Sequence, residues 1–517
     1  MTLHDADRTD TSGPVPAAPA ARTGTIEANG VNQIPAAERK GRPRDLFWPW
    51  FAANISVFAI SYGSFVLGFG LSLGQAIGVT FVGMVTSYLL CGWIAIAGKR
   101  GSAPTMTISR SVFGIRGNRL PSALSWLLTL GWETVLAALA VLATATIAQR
   151  LGLGGGTATK LVALVVVVGL IVLGGLLGFD LIMRMQRYIT WIAGLLTVLY
   201  IVFAVPSIDP GALAALPAGR APAVIGATLF VMTGFGLGWV NAAADYSRYL
   251  PRAASSRGVL GWTTLGAGLP PLLLVLFGIL VAGSSEDLSK AISLDPVGAL
   301  TSILPTWLLV PFVVATVLGL VGGAIMDIYS SGLALLNAGL RAPRWVAVMI
   351  DATLMVAGAV YIVFFSADFL VPFQGFLITL GVPVSAWAGV FIADITLRRG
   401  SYAELDLFRR DGRYGDVRWL PVGLVAVGTF VGWGLVTNTA APWLAWQGYL
   451  LGPIGGVQGS WAYANLGVIV ALLVGFVGYL VLARRTVRAQ DALPVPDEPA
   501  LTSAEAQDLA GSGSTAA

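Results

Sequence analysis

Two acidic residues in this sequence lie inside long apolar stretches. Glu133 is part of LTLGWETVLAALA (Leu128–Ala140), and Asp327 is part of GLVGGAIMDIYSSG (Gly319–Gly332). An unpaired carboxylate in apolar surroundings is unfavourable, so a chain that keeps one usually gives it a polar partner or a proton. Glu133 and Asp327 are therefore candidates for ligand binding or proton transfer. The alternative is a protonated structural acid that is hydrogen-bonded to a neighbouring helix.

Aromatic and amide side chains that suit a flat ligand accompany these acids. Trp132 precedes Glu133, Trp239 follows a glycine-rich stretch, and Asn54 lies in the first apolar segment. A heterocycle can stack on an indole face while polar side chains bind its edge. The alternative is that the indoles only pack or anchor the chain at the membrane surface, as most of the sixteen tryptophans are expected to do. Further hydrogen-bonding residues of the first segment are Ser56, Ser61 and Tyr62.

The elements that must position these residues are transmembrane helices. Charged residues make up 11% of the chain, against about 25% in a typical soluble domain. Apolar runs of about 20 residues, long enough to cross a bilayer, recur along most of its length. We predict an all-α polytopic membrane protein whose twelve spans are 47–70, 74–98, 121–148, 159–179, 188–206, 221–245, 258–283, 305–337, 345–366, 371–397, 419–438 and 463–483.

The distribution of basic residues predicts the orientation. With both termini on the cytoplasmic side, all but four of the 31 Lys and Arg residues fall on the inner side, as the positive-inside rule requires. We therefore expect a multi-pass protein of the cell membrane whose basic clusters contact lipid, with no nucleic acid as a partner. Residues 1–45 and 486–517 are polar, and we expect disordered cytoplasmic tails around a transporter domain at 46–485.

Glycines interrupt two of the predicted spans at corresponding positions. The first span contains Gly63, Gly68 and Gly70, and the sixth contains Gly234 and its neighbours Gly236 and Gly238. Paired interruptions near the midplane are typical of secondary transporters with inverted repeats. We expect repeats at 47–206 and 221–397, followed by two additional helices within 419–483. The alternative is that these glycines only allow helices to pack closely.

Other classes of function find little support. The chain has one cysteine, Cys91, and one histidine, His4, which excludes a disulfide framework and a Cys/His metal cluster. An intramembrane enzyme would require clustered aspartates, an HExxH motif or a Ser–His pair. A channel would lack the paired interruptions. We expect neither enzymatic activity nor a cofactor nor a bound metal.

Several other acids are weaker candidates. Asp245 and Arg248, three residues apart at the inner end of the sixth span, are expected to form a local ion pair. Four aspartates lie at predicted span ends, where solvation is easy: Asp180, Asp351, Asp368 and Asp394.

Four segments of the sequence resemble parts of one known family. GTIEANGVNQIPAAER (Gly24–Arg39) resembles its segment before the first helix, and GKRGSAPTMTISRSVFGIRG (Gly98–Gly117) resembles its connection between helices 2 and 3. AADYSRYLPR (Ala243–Arg252) is similar to the end of its sixth helix. FLITLGVPVSAWAGVFIADITLRRGSY (Phe376–Tyr402) is similar to its helix 10 and the following loop. The family that these segments resemble is the nucleobase–cation symporters, in their purine–cytosine permease branch.

The resemblance implies a five-plus-five inverted-repeat fold with two additional helices, and cation-coupled import by alternating access. It places Glu133 at a polar substrate ligand of helix 3 and Asp327 near the substrate-binding position of helix 8. The aromatic that stacks on substrate aligns with Gly236, which makes Trp239 the nearest replacement. Sodium-coupled members carry adjacent hydroxyls on helix 8, whereas LVGGAIMD has none before Ser330.

These observations predict a secondary transporter that imports a nucleobase, cytosine or a purine. Glu133 and Asp327 would accept hydrogen bonds from its amino and ring N–H groups. Because burial favours the neutral carboxyl, either acid could also carry the coupling proton, so H⁺ is expected rather than Na⁺. The open alternatives are sodium coupling, and another small heterocycle such as allantoin, a hydantoin, uracil, pyridoxine, thiamine or a nucleoside.

Overall fold

The computed structural model describes residues 26–366, 368–494 and 501–511, and this part of the chain is helical with connecting loops. Apolar segments in a bilayer form helices because each backbone N–H and C=O must find its partner within the segment. The helices are α1 (Phe47–Asn54), α2 (Phe58–Leu67), α3 (Leu73–Gly101), α4 (Thr105–Phe113), α5 (Arg119–Arg150), α6 (Thr157–Leu177), α7 (Phe179–Ala204), α8 (Pro210–Ala214), α9 (Ala221–Gly234), α10 (Gly236–Trp239), α11 (Ala243–Ser247), α12 (Ser256–Gly283), α13 (Glu286–Leu294), α14 (Pro296–Thr301), α15 (Leu309–Ala338), α16 (Arg344–Phe365), α17 (Leu370–Leu397), α18 (Trp419–Gly434), α19 (Leu466–Leu482), α20 (Arg484–Asp491) and α21 (Ser503–Gly511). Short 3₁₀ helices lie at Ala36–Glu38, Pro43–Leu46, Val205–Ser207, Thr306–Leu308, Leu405–Leu407, Pro442–Leu444, Gly452–Ile454 and Gly456–Gln458.

The lengths of these helices agree with membrane crossing. Within the described ranges, nine helices are long and apolar enough to span a bilayer, and two bent pairs bring the number to eleven. The bent pairs are Pro43–Asn54 with Phe58–Leu67 and Leu466–Leu482 with Arg484–Asp491. A further apolar helix, α18, is shorter at 16 residues. Each of the twelve predicted spans thus corresponds to a helix or to a broken helix.

The first span is broken, but not at its glycines. Its two parts, α1 and α2, meet at an angle of 69° across residues 55–57. Gly63 lies inside α2 instead, where a Cβ would overlap the backbone of Gly278 on α12. The position predicted for this break was therefore wrong: Gly63 serves close packing between helices, and the chain turns at Ile55 (φ −85°, ψ 68°).

The sixth span is broken at its glycine cluster, as the sequence predicts. Helix α9 ends at Gly234, α10 begins at Gly236, and Phe235 between them has φ −127° and ψ −101°. Gly236 packs against α3, where a Cβ would meet the backbone of Ser87. The broken first and sixth spans thus provide backbone turns, and Asp327 lines the same cavity as residues of both breaks.

Two close helix pairs frame these breaks. Helix α15 packs along α5, and α12 packs against α2 and α3. The contact between α2 and α12 is backbone to backbone, because Gly63 and Gly278 carry no side chain. Since α5 carries Trp132 and Glu133 while α15 carries Asp327, their packing brings the predicted site residues together.

The segment before the first span is folded onto the ends of several helices. Val31 and Ile34 are fully buried, and Glu27 is held by groups from several helices. Its carboxylate accepts hydrogen bonds from Arg248 (3.3 Å), the hydroxyl of Tyr329 (3.1 Å) and the backbone N–H of Phe179 (2.8 Å). The described part of the predicted N-terminal tail is therefore packed against the helices, while residues 1–25 lie outside the described residues.

The expected ion pair between Asp245 and Arg248 is not formed. Asp245 accepts hydrogen bonds from the backbone N–H (2.7 Å) and the hydroxyl (2.8 Å) of Thr105 at the start of α4. Arg248 turns away to the carbonyl oxygen of Gly30 (2.7 Å) and to Glu27. Local spacing predicted the wrong partners because it could not show that α4 and the N-terminal segment close around the end of α11.

Part of the predicted C-terminal tail also contacts the helices. In α20, Val487 and Gln490 are buried, and Gln490 donates a hydrogen bond to the carbonyl oxygen of Arg413 at 2.7 Å. In α21, Gln507 donates to the carbonyl oxygen of Ala342 at 3.1 Å. Residues 495–500 and 512–517 of this predicted tail lie outside the described residues.

Candidate functional site

A small cavity of about 50 Å³ lies where the breaks of the first and sixth spans face α5 and α15. Four of the six residues predicted to bind substrate line it, namely Asn54, Trp132, Trp239 and Asp327. The remaining lining residues are Ala53, Ser56, Phe58, Ala59, Tyr62, Leu136, Gly234 and Phe235. The fold thus joins residues from four distant parts of the sequence around one space.

Asp327 supplies the carboxyl group of this cavity. Its side chain is buried, and its Oδ2 has no hydrogen-bond partner within the part of the chain that the structure describes. A buried polar oxygen without a partner is unfavourable and is usually satisfied by a ligand, water or a proton. Its neighbours Met326 and Ser330 are engaged elsewhere, because both contact the hydroxyl of Tyr246 (2.7 and 3.1 Å). Asp327 is therefore free to bind a donor group in the cavity.

Two indoles border the same space. Trp132 on α5 meets Phe373 edge to face at a centroid distance of 4.9 Å, and its Nε1 has no acceptor among the described residues. Trp239 on α10 meets Trp50 edge to face at 5.4 Å. Edge-to-face neighbours fix the orientation of an aromatic ring. The two indoles thus present aromatic rings of fixed orientation, and Trp132 adds an N–H donor that has no acceptor among the described residues.

Asn54 at the end of α1 is already hydrogen-bonded on both sides of its amide. Its Nδ2 donates to the carbonyl oxygen of Trp50 at 2.9 Å, and its Oδ1 accepts from the hydroxyl of Tyr88 at 2.6 Å. These bonds hold the side chain at the break, where backbone groups lose their helical partners. Asn54 therefore lines the cavity with its amide held in a fixed orientation, and its nitrogen and oxygen already have hydrogen-bond partners.

Glu133 is fully buried and lies outside the lining of the cavity. Its Oε2 is 3.2 Å from Ser331 Oγ on α15, and the same hydroxyl is 2.9 Å from Asp351 Oδ2 on α16. Asp351, which was expected to lie at a solvated span end, is fully buried as well. Burial corrects that expectation, because α5 and α15 cover this end of α16.

Gly236 is also absent from the cavity lining, because it faces α3. Its neighbour Phe235 is buried, lines the cavity at the break and lies against Tyr62, with ring centroids 4.5 Å apart. The sequence analysis named Tyr62 as a hydrogen-bonding group and did not single out Phe235. The signal was available, since Phe235 is the one aromatic residue between two glycines of the sixth span.

Helix α15 presents glycines to the break of the first span. A Cβ on Gly322 would lie 3.2 Å from the carbonyl oxygen of Ala52, and one on Gly323 would lie 3.1 Å from that of Ala53. The amide of Gln186 on α7 donates to the carbonyl oxygen of Gly322 at 2.7 Å. At these positions α15 brings no side-chain hydroxyl to the carbonyl oxygens of α1. In the described ranges, no group of three or more His, Cys, Asp or Glu side chains could hold a metal ion.

A larger cavity of about 590 Å³ lies beyond the site, between α2, α9, α17 and the loops after α18. Phe65 and Phe230 line it, while Tyr62 and Phe235 line the smaller one. The ring of Tyr62 is 5.6 Å from that of Phe230 and 5.4 Å from that of Phe65. A layer of aromatic side chains therefore separates the two cavities.

Most of this chain matches known proteins. Residues 33–452 match the family described as permeases for cytosine/purines, uracil, thiamine and allantoin. The chain belongs to this family. The permease is 24% identical over 407 residues to the putative purine-cytosine permease YxlA of Bacillus subtilis, covering 76% of this chain and 85% of that one. It is also 24% identical over 454 residues to the purine-cytosine permease fcyB of Emericella nidulans, covering 81% and 82%.

Solved structures share the fold of the permease. Mhp1, a nucleobase-cation-symport-1 family transporter in a closed conformation with bromovinylhydantoin bound, matches with a TM-score of 0.67 at 19% identity, over 93% of this chain and 99% of that one. A Na⁺-coupled sialic acid symporter matches with a TM-score of 0.55 at 11% identity, over 90% and 92%. The permease is thus an all-helical polytopic membrane protein of the predicted fold class.

Family and fold together establish the general activity. The permease is a multi-pass integral membrane protein and a secondary transporter for nucleobase-like substrates, in agreement with the prediction that it is no enzyme. The family predicted from four sequence segments is confirmed. The roles of the individual site residues, including Glu133 and Gly236, stay predictions.

Proposed function

We propose that this permease imports a nucleobase, cytosine or a purine, by proton symport across the plasma membrane, with both termini in the cytoplasm. The observation that carries this proposal is the free oxygen of Asp327, which lies beside two indoles at the paired helix breaks. The positive-inside distribution of Lys and Arg supports the orientation.

The donor and acceptor pattern of the cavity suits a base with adjacent N–H groups. The Asp327 carboxylate accepts hydrogen bonds only, and a charge-assisted bond is about twice as strong as a neutral one. Cytosine, adenine and guanine offer an amino group and ring nitrogens on one edge. The free Nε1–H of Trp132 adds a donor for a ring nitrogen or a carbonyl oxygen of the same base. The faces of Trp132 and Trp239 supply stacking surfaces.

Glycines on α15 favour the proton over sodium as the coupling ion. Sodium is a hard cation that prefers oxygen ligands, and α15 offers glycine at Gly322 and Gly323 where it faces the carbonyl oxygens of α1. Carboxyl groups that can take up a proton are present instead, at Asp327 and Glu133. Alternating access would then expose these acids to one side of the membrane at a time.

Competition of uptake tests the substrate. Cells that lack their own nucleobase carriers and express the permease are given labelled cytosine together with an excess of unlabelled adenine, guanine, uracil, allantoin, a hydantoin, thiamine, pyridoxine or a nucleoside. We expect cytosine or a purine to compete best. Stronger competition by any of the other compounds would reassign the substrate within the family.

Ion replacement in proteoliposomes tests the coupling. Uptake of the preferred base is driven either by an inward proton gradient without sodium or by an inward sodium gradient at equal pH, with the membrane potential clamped in both. We expect accumulation with the proton gradient alone. Accumulation that requires sodium would contradict proton coupling and leave the substrate assignment intact.

A further inference from the structure

Two acidic side chains, Glu133 and Asp351, lie close together beside the cavity without lining it. Ser331 Oγ lies 3.2 Å from Glu133 Oε2 and 2.9 Å from Asp351 Oδ2. The indole Nε1 of Trp126 donates to the other oxygen of Asp351 at 2.6 Å. Three helices, α5, α15 and α16, thus contribute to one hydrogen-bonded chain, which we call the acid pair: Glu133 and Asp351 joined by Ser331.

The hydrogen bonds of the acid pair require one more proton than the Ser331 hydroxyl can supply. The Ser331 hydroxyl has one hydrogen, yet Glu133 Oε2, Asp351 Oδ2 and the carbonyl oxygen of Ile328 (3.3 Å) all lie within hydrogen-bond distance. A hydroxyl donates once, and an ionised carboxylate donates nothing. With both acids ionised, one of the serine–carboxylate contacts would be acceptor against acceptor. A proton on either carboxyl lets that acid donate to Ser331 while Ser331 donates to the other.

Among the residues that the structure describes, no cation acts on the acid pair to neutralise two charges. Glu133, Asp351 and Ser331 are all fully buried. The nearby titratable group on α15 is Asp327, a third acid. On the helices packed around the pair, Arg344 of α16 donates to the carbonyl oxygens of Gly175 (2.7 Å) and Leu176 (2.8 Å), Lys160 of α6 donates to that of Val363 (3.4 Å), and α17 presents the ring of Phe376 to Gly131. Two adjacent negative charges in such a place are strongly disfavoured.

The acid pair is connected to the cavity because α5 and α15 each carry a residue of the hydrogen-bonded chain and a residue of the cavity lining. Glu133 follows Trp132 on α5, and Ser331 lies one helical turn after Asp327 on α15. Trp132 and Asp327 line the cavity. A movement of α15 against α5 when a base binds would therefore change the distances from Ser331 to the two carboxyls, and with them the affinity of the pair for its proton.

We propose that Glu133 and Asp351 share one proton through Ser331 and that this pair, beside the substrate cavity, is where the driving proton binds and leaves. A proton from the outer side adds to one carboxylate oxygen of the pair, and the same O–H bond breaks when the pair is exposed to the inner side. This inference rests on the proton symport proposed above. It assigns Asp351 a role in coupling without contact to the substrate.

Reconstituted full-length protein tests the inference by separating binding, exchange and accumulation. With an inward gradient of one pH unit, coupling to one proton supports about tenfold accumulation. For Asp351→Asn we expect unchanged binding of cytosine and unchanged cytosine exchange at equal pH, with the tenfold accumulation lost. Asp351→Glu should restore it. Asp287→Asn on the exposed surface is the control and should accumulate as the native protein does.

Two results would overturn the inference: accumulation by Asp351→Asn equal to that of the native protein, or equal loss of binding, exchange and accumulation. If Asp351→Asn does not fold, Ser331→Ala keeps both acids and removes their link. The pH at which its accumulation is half-maximal should then differ from the native value, and an unchanged value would refute the shared proton.

Infrared spectroscopy separates this inference from the proposed function, because it needs no transport. We expect the carbonyl stretch of a protonated carboxyl in the native protein at neutral pH, reduced in Asp351→Asn and in Glu133→Gln. A signal that neither substitution changes would refute the shared proton even if transport is proton-driven. A second outcome is a signal that depends on the pair in a protein that accumulates cytosine only with sodium. This outcome would refute proton symport and support the proton shared by Glu133 and Asp351.

Discussion

Arg248 Nη2 lies 3.3 Å from Glu27 Oε1, which joins the segment before the first span to the C-terminal end of the sixth. The guanidinium is fully buried and the carboxylate is nearly so. The same carboxylate also binds the hydroxyls of Tyr249 and Tyr329 and the backbone N–H of Phe179. One acidic side chain thus ties together the N-terminal segment, α7, α15 and the chain just after α11.

Loss of this carboxylate should destabilise the protein markedly. Glu27→Ala leaves the guanidinium of Arg248 buried without its charged partner, which costs about 3 kcal/mol. We expect a clear fall in the thermal unfolding temperature of the purified protein, followed by intrinsic fluorescence. The matched comparison is Asp180→Asn, which breaks the ion pair with Lys40 on the exposed surface. Exposed pairs contribute about 0–1 kcal/mol, so equal effects of the two substitutions would contradict the role given to Glu27.

Removal of the charge at Asp327 should weaken substrate binding. In Asp327→Asn the carboxylate is replaced by an amide of similar shape, so a charge-assisted hydrogen bond to the base is lost. Such a bond contributes about 2 kcal/mol, or about 30-fold in affinity. Equilibrium binding of labelled cytosine to purified protein measures the change, with the exposed Asp287→Asn as the control. Native affinity in Asp327→Asn would exclude Asp327 as a substrate ligand.

The stacking surface can be tested separately at Trp239. Trp239→Ala removes the ring face, and an aromatic contact contributes about 1 kcal/mol, or about fivefold in affinity. Trp239→Phe keeps a smaller face and should lose less. Trp419, which is exposed at the start of α18, supplies the control Trp419→Ala. If Trp239→Phe and Trp239→Ala bind the base equally well, stacking on this residue is refuted.

The backbone contact between α2 and α12 predicts a strong effect of one methyl group. A Cβ on Gly63 would overlap the backbone of Gly278, so Gly63→Ala must push the two helices apart. Overpacking of this kind costs about 1–3 kcal/mol, and we expect poor recovery of folded protein in size-exclusion chromatography. Gly78 on α3 has open space around its Cβ position. Gly78→Ala should therefore be recovered like the native protein.

The helix breaks show how far glycine patterns predict a membrane fold. In the sixth span the glycines mark the break, because α9 ends at Gly234. In the first span they do not, since the chain turns at Ile55 and Gly63 lies within α2. Glycine serves both backbone turns and close helix contacts. Only the partner helix, α12 in the case of Gly63, distinguishes the two uses.

Glu133 also shows which features of a side chain the sequence can predict. Its position inside an apolar helix was evident from the sequence, and so was the presence of an acidic group there. Its partners were not, because Ser331 and Asp351 lie about 200 residues away along the chain. Asp351 was assigned to a solvated span end by its position in the sequence, and the packing of α5 and α15 buries it.

The sequence by itself determined the class of protein, the approximate spans, the family and four of the twelve cavity-lining residues, because these depend on composition, on apolar run length and on local motifs. The tertiary structure decided where the first span breaks, which acid lines the cavity, and which acids share a serine. These features depend on contacts between helices that are distant in the chain. Hydropathy measures the preference of each segment for the membrane and contains no information about which helix faces a given side chain.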